Sequence, residues 1–228
     1  MNRVILDRIP FEVDGDGLAE LLKIKPGSRR HIEFLPILEE ARAIAGPKAV
    51  FAVASASLTG NDAVDIGGVR FTSRLLHVNL EKAGVVYPFA ATCGTELEEW
   101  SMGMKGMIHS FWADSIMLMA LGCAVSYLDK YIEELTGSGK LSCMNPGSLI
   151  DWPIEQQEPL FALLGEAALA IGVSLTDRMV IRPLKSVSGI LFVSENGFVN
   201  CALCPREKCP SRRADYHPDL YASRFMKQ

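Results

Sequence analysis

Apolar positions recur every three to four residues in two stretches near the start of the chain, Gly17 to Lys23 and His31 to Ala45. Between them Lys25-Pro26-Gly27-Ser28 carries the residue types that stop a helix. The spacing predicts two helices, the second with Ile32, Leu35, Ile37, Leu38, Ala41 and Ile44 on its inner face. The pattern then changes. KAVFAVASASL, positions 48 to 58, is a run of β-formers and small residues that suits a strand, and Thr59-Gly60-Asn61-Asp62 is turn chemistry. VDIGGVRFTSRLLHVNL alternates around Gly67-Gly68, and VVYPFAATC continues in extended form, so this block predicts antiparallel strands joined by hairpins.

From about Glu96 the period returns to that of a helix. A long helix from Ser110 to Leu135 is expected, with Phe111, Ile116, Met119, Ala120, Cys123 and Tyr127 facing inward and Gly137-Ser138-Gly139 ending it. A second helix lies between Ile154 and Ile171, regular from Glu158 with Pro159 in its first turn, and buries Leu160, Phe161, Leu164, Ala167, Ala168 and Ile171. RMVIRPL, SGILFVS and GFVNC are three closing β-segments. Strands clustered in two blocks with helices between them predict an α+β fold, an antiparallel sheet flanked by helices.

At 228 residues the chain can bury a full core as one domain. With 49% hydrophobic and 22% charged residues, neither disorder nor a fibrous class is indicated. Up to position 200 there are 17 basic and 24 acidic residues, a net of −7, and beyond it 6 and 3, a net of +3. The chain therefore reads as an acidic body, residues 1–200, with a basic cysteine-rich tail, residues 201–228, packed on it. That asymmetry is too small for a nucleic-acid partner, which needs a concentrated basic stripe. The N-terminus has no apolar run of a secretory signal, so the chain is read as cytoplasmic. Ser115 to Leu128 is 14 residues without a charge where a membrane span needs about 20, and it is read as a core helix with no membrane role.

The tail holds the chemistry. Cys201, Cys204 and Cys209 stand in NCALCPREKCPSRR, and C-x2-C-x4-C brings three soft sulfurs within reach of one zinc ion or one iron–sulfur cluster, with Cys143 or His217 as candidates for a fourth ligand. In a reducing compartment such cysteines are ligands or thiols rather than disulfides. Arg206, Lys208, Arg212 and Arg213 favour the thiolate form. Cys93 and Cys123, in AATCGT and LGCAV, read as small buried hydrophobes. TGSGKLS is not a phosphate loop, because its Gly-Lys follows a helix and precedes a leucine. The four histidines share no ligand spacing, Met102, Met104 and Met107 read as core packing, and Asp151 reads as a helix cap.

The segment from Cys143 to Cys201 runs through a Pro-Gly turn, a helix near Leu160-Phe161, the phrase IGVSLTDRMVIRP with Leu175-Thr176-Asp177, and Ser186-Val187-Ser188-Gly189 leading into a strand. With the long apolar helix upstream, this resembles the reactivation domain of cobalamin-dependent methionine synthase over roughly residues 80 to 200. The resemblance implies a single curved α+β domain with a twisted antiparallel sheet, and an accessory role in corrinoid-dependent methyl transfer. It also implies a cofactor-binding set at Asn145, Gly147, Ser148, Ser188 and Gly189. The partner would be a separate corrinoid-binding protein or methyltransferase, since this sequence has no D-x-H-x-x-G motif for the lower cobalt ligand. The family's S-adenosylmethionine signature, R-x-x-x-G-Y, falls on Cys143, Gly147 and Ser148, so its arginine and tyrosine are both missing. The acidic residue expected on the long helix is replaced near Tyr127. Without the charged anchor, S-adenosylmethionine binding is expected to be weak or absent. A cluster at the tail cysteines would then be an electron entry, and zinc there a structural staple on a docking module.

Overall fold

Strand β2 (Lys48–Thr59) is apolar at almost every position of its first half, the pattern of a strand covered on both faces rather than one. A computed structural model describes all residues except 138, 139, 195, 196, 210, 211, 213, 227 and 228. In chain order β1 (Asn2–Leu6), α1 (Gly15–Leu21) and α2 (Arg29–Ile44) precede β2. Then come β3 (Ala63–Ile66), β4 (Val69–Thr72), α3 (Arg74–Leu80), β5 (Val85–Thr92), α4 (Thr95–Met102), α5 (Met107–Thr136) and β6 (Lys140–Met144). The body closes with α6 (Gln157–Leu164), α7 (Glu166–Ala170), β7 (Ser174–Leu175), β8 (Ile181–Arg182) and β9 (Ser186–Ser194).

Seven strands form one sheet in the order β4-β3-β2-β5-β9-β6, and β1 pairs with the first half of β2 on the edge whose second half pairs with β3. Every pairing within this sheet is antiparallel. The α+β fold with an antiparallel sheet flanked by helices is thus as expected. Alternation sorts the side chains of β2 and β5 into two cores. Ala49, Phe51, Tyr87, Phe89 and Ala91 meet Ala124, Leu128 and Ile132 of α5 on one face. Val50, Ala52 and Ala90 meet Leu164, Ala168 and Ile171 on the other. A further core joins α3 to Trp152, Phe192 and Phe225, so the tail contributes a fully buried aromatic ring to the body.

Several expectations are corrected. RLLHVNL is a helix, not a strand: the Ser73 hydroxyl caps it by accepting from the Leu76 N–H at 3.0 Å, and Leu75, Leu76 and Leu80 fall on one buried side. RMVIRPL contributes only the two residues of β8, paired with β7 outside the main sheet, and GFVNC forms no strand beyond one bridge from Val199 to Cys143. The second long helix is broken at Gly165, whose φ of 56° ends α6, and Arg3 donates from Nε to the Leu163 carbonyl beside the break. In α2, Ile32 and Ile44 are exposed while Phe34 is buried.

Helix α5 is rotated from its expected face. Trp112, Ala113, Ile116, Met117, Ala120, Ala124, Leu128 and Ile132 are buried, whereas Phe111, Met119 and Tyr127 are exposed. Its middle is apolar all round, so periodicity there cannot select a side. At 30 residues it is long and apolar enough to cross a membrane by length and composition, and it packs lengthwise on β2, β5 and β6. Leu128→Ala should cost about 2–5 kcal/mol by leaving a cavity against the sheet, and Phe111→Ala should stay within about 0.5 kcal/mol. Urea unfolding of the two variants checks this, and the opposite order would overturn the assigned face.

Candidate functional site

The loop after β6 and the start of β9 lie side by side because β6 and β9 are antiparallel, with Met144 opposite Ile190. Asn145 donates from Nδ2 to the Ser188 carbonyl at 2.8 Å, and its Oδ1 accepts from Asn200 Nδ2 at 3.4 Å. Gly189 permits this approach: a Cβ there would come within 2.5 Å of the Met144 carbonyl and 2.6 Å of Asn145 Nδ2. Three of the five expected cofactor-site residues, Asn145, Ser188 and Gly189, therefore meet at one point. The Ser188 side chain is buried and hydrogen-bonds Gln157 Oε1 at 3.2 Å, while Gln157 Nε2 donates to the Met179 carbonyl, so this hydroxyl is committed to a structural relay.

Gly147 and Ser148 lie further along the loop. Gly147 has a φ of 78°, and a Cβ there would come within 2.8 Å of Ile154. Its N–H donates to the Trp152 carbonyl at 2.8 Å, and the Ser148 N–H to the Asn145 carbonyl at 3.2 Å, which folds 145 to 152 into a tight turn over buried Trp152. Ser148 is exposed and lines a cleft of about 540 Å³ with Leu149, Asp151, Leu203, Pro205 and Tyr221. One wall of that cleft is the loop and the other is the tail.

Asp151 joins the two walls. Its Oδ2 accepts from the Ser73 hydroxyl at 2.6 Å and the Leu75 N–H at 2.8 Å, and its Oδ1 accepts from the Tyr221 hydroxyl at 3.0 Å. The carboxylate is a helix cap, as its residue type suggests, but for α3 rather than for the helix that follows it in sequence. Burial, then the hydrogen bond and charge of Asp151, raise the Tyr221 pKa and keep the phenol a donor. Nothing in the spacing of Ser73, Asp151 and Tyr221 announces this contact, because each residue comes from a different part of the chain.

The tail cysteines start on a 3-10 turn, Asn200–Leu203, where the Cys204 N–H donates to the Cys201 carbonyl at 3.2 Å. Arg212 gathers the backbone around it, donating to the carbonyls of Cys201, Ala214, Cys204 and Arg206. The two candidates for a fourth ligand both lie near this turn: Cys143 bridges Val199 in parallel, and the His217 N–H donates to the Ala202 carbonyl at 2.8 Å. Among the described residues, however, no three His, Cys, Asp or Glu side chains are gathered as one metal-holding group. Cys201 and Cys204 share a turn, and Cys209 does not close with them into a ligand set. Cys143 Sγ is 3.6 Å from Asn145 Oδ1, in the position where the resembled signature has arginine.

No model of a known protein family matches the chain, and no curated protein matches it by sequence. In three dimensions it is similar to the MetH reactivation domain bound to AdoHcy, with a TM-score of 0.59 and 14% identity over 87% of this chain and 80% of that one. At that identity the similarity is one of fold, and the chain shares the architecture of that domain.

Cys93, fully buried, has its thiol pushed up to about 12 from 9.0 by burial first and the Glu98 charge second. A raised folded-state pKa means this group's contribution to stability is whole below pH 9.0 and is lost as pH rises from there through about 12, the unfolded chain ionising first. Near neutral pH, with any bound metal removed by a chelator, a thiol reagent should label the tail cysteines and spare Cys93, and Cys93→Ala should flatten the alkaline loss of stability. Peptide mass mapping and pH-dependent melting check both, and rapid labelling of native Cys93 would overturn the assignment.

Proposed function

We propose that this chain is an accessory protein of corrinoid-dependent methyl transfer, docking on a separate corrinoid-binding protein or methyltransferase in the cytoplasm and supporting its reductive reactivation. The observation that carries the reading is the extent of the shared fold, 87% of the chain on the architecture of the MetH reactivation domain. The part of the sequence that resembles the family, Cys143 to Cys201, supplies the end of β6, the tight loop, α6 and β9, and the loop forms one wall of the cleft.

In this reading Asn145, Gly147, Ser148, Ser188 and Gly189 are the remnant of a nucleoside-binding surface, with Asn145 and Gly189 setting its backbone. S-Adenosylmethionine should bind weakly or not at all, because a thiol stands where a guanidinium would pair with the methionyl carboxylate. Losing a charge-assisted hydrogen bond of about 1.5–3 kcal/mol weakens binding by roughly tenfold or more. The Cys143→Arg, Ser148→Tyr double variant should recover binding in calorimetry. Low-micromolar affinity of the unaltered chain would overturn this.

Cys201, Cys204 and Cys209 are proposed as the ligands of an iron–sulfur cluster or zinc, for which Cys209 must close onto the turn that holds the other two. A cluster held there would relay a low-potential electron from an external one-electron donor, which is what an oxidised Co(II) corrinoid must accept to return to Co(I). Anaerobically prepared protein should carry metal and speed reduction of a partner corrinoid protein by an added one-electron donor such as dithionite. Serine at any one of the three positions should lose most of the bound metal and with it the acceleration, and serine at Cys93 or Cys123 should cost stability but leave the metal content intact. Zinc without acceleration would favour a docking module pinned by a structural metal. Metal-free protein that neither binds nor affects a corrinoid protein would overturn the whole reading.

A further inference from the structure

A second cleft, of about 670 Å³, opens between the α3–β5 connection, the end of β9 and the terminal turn of the tail, and Asn79, Glu81, Lys82, Ser194 and Arg224 are among its lining. Arg224 is held on two sides. Its Nη2 donates to Asn79 Oδ1 at 3.3 Å, and its guanidinium carbon lies 5.4 Å from the centroid of the Phe225 ring. Both supports are themselves fixed. Asn79 is 8% exposed and its Nδ2 contacts Met144 Sδ at 3.5 Å, and Phe225 is 1% exposed in the core.

A guanidinium has five N–H donors. Among the described residues one is used here, and neither Arg224 nor Lys82 pairs with a carboxylate. Two cations and one acid, Glu81, thus face a cleft with polar side chains at its walls. A preorganised guanidinium is the group that matches planar or tetrahedral oxyanions with two parallel hydrogen bonds, at little further cost in side-chain ordering.

We propose that this cleft binds a small oxyanion, a phosphate or carboxylate group, with Arg224 as its fork and Lys82 as a second positive contact. Glu81 sets the limit on its negative charge. Because Arg224 belongs to the terminal turn that carries Phe225 and Tyr221, an anion bound there also stabilises the docked tail. The site stands apart from the loop after β6, and it holds whether or not the chain serves a corrinoid protein.

The test is calorimetry and thermal melting of the full chain with inorganic phosphate and, separately, citrate, against chloride at matched ionic strength. Phosphate, citrate or both should bind and raise the melting temperature where chloride does not. Arg224→Ala should weaken binding about tenfold or more, Arg224→Lys should lose most of it because an ammonium cannot make the paired bonds, and Glu81→Gln should tighten it. Should Arg224→Ala fail to melt cooperatively, Lys82→Glu decides, since reversing that charge must weaken the same binding. No anion-specific effect in the unaltered chain, or unchanged affinity in Arg224→Ala or Lys82→Glu, would overturn the proposal.

Discussion

The carboxylate of Asp151 is the contact on which the arrangement of the candidate site depends. A part-buried carboxylate needs donors, and this one finds three, from Ser73, Leu75 and Tyr221. Two of the donors stand together at the start of α3 and the third in the tail, segments far from each other and from residue 151 in sequence. Removing the carboxylate would leave the Leu75 N–H at the α3 terminus and the Tyr221 hydroxyl without their acceptor, and the loop from 145 to 152 without its tie to either. The aromatic side chains nearby, Trp152 against Phe71 and Phe198 against Phe225, supply the apolar burial, and Asp151 supplies the register between the segments that bury them.

What could be read from the sequence divides along local against non-local causes. The strand at 48 to 58, the turn at Gly67-Gly68 and the stop at Gly137 rest on composition and on backbone conformations special to glycine, and all three stand in the structure. The α3 segment defeated alternation because its decisive signals were a serine cap beside it and a carboxylate from residue 151. The face of α5 was illegible for a different reason, since a helix apolar on all sides gives no phase. Strands β1 and β6 carry short, half-polar patterns that take meaning only from β2 and β9 beside them.

The geometry of the candidate site was legible in its outline and less so in its chemistry. Asn145, Ser188 and Gly189 are four dozen residues apart or less in a segment whose ends return to one another, and the antiparallel pairing of β6 and β9 brings them into contact. The cysteine spacing suggested a ligand set, but the fold of that segment is organised by Arg212 and four backbone carbonyls, contacts that no thiol pattern foretells. Arg224 carried no motif at all. Its placement depends on a buried asparagine and a buried phenylalanine, each fixed by packing elsewhere.

The bridge between Cys143 and Val199 bears on how the chain keeps to itself. Strand β6 is the last of the sheet on its side, and an uncovered terminal strand offers its free N–H and C=O groups as a template for a strand of another molecule. Here the chain turns back after β9 and lays Val199 along that border, with Asn200 bonded to Asn145 at the next step. The same return that brings the cysteines toward the loop thereby occupies part of the border at which another strand would otherwise pair.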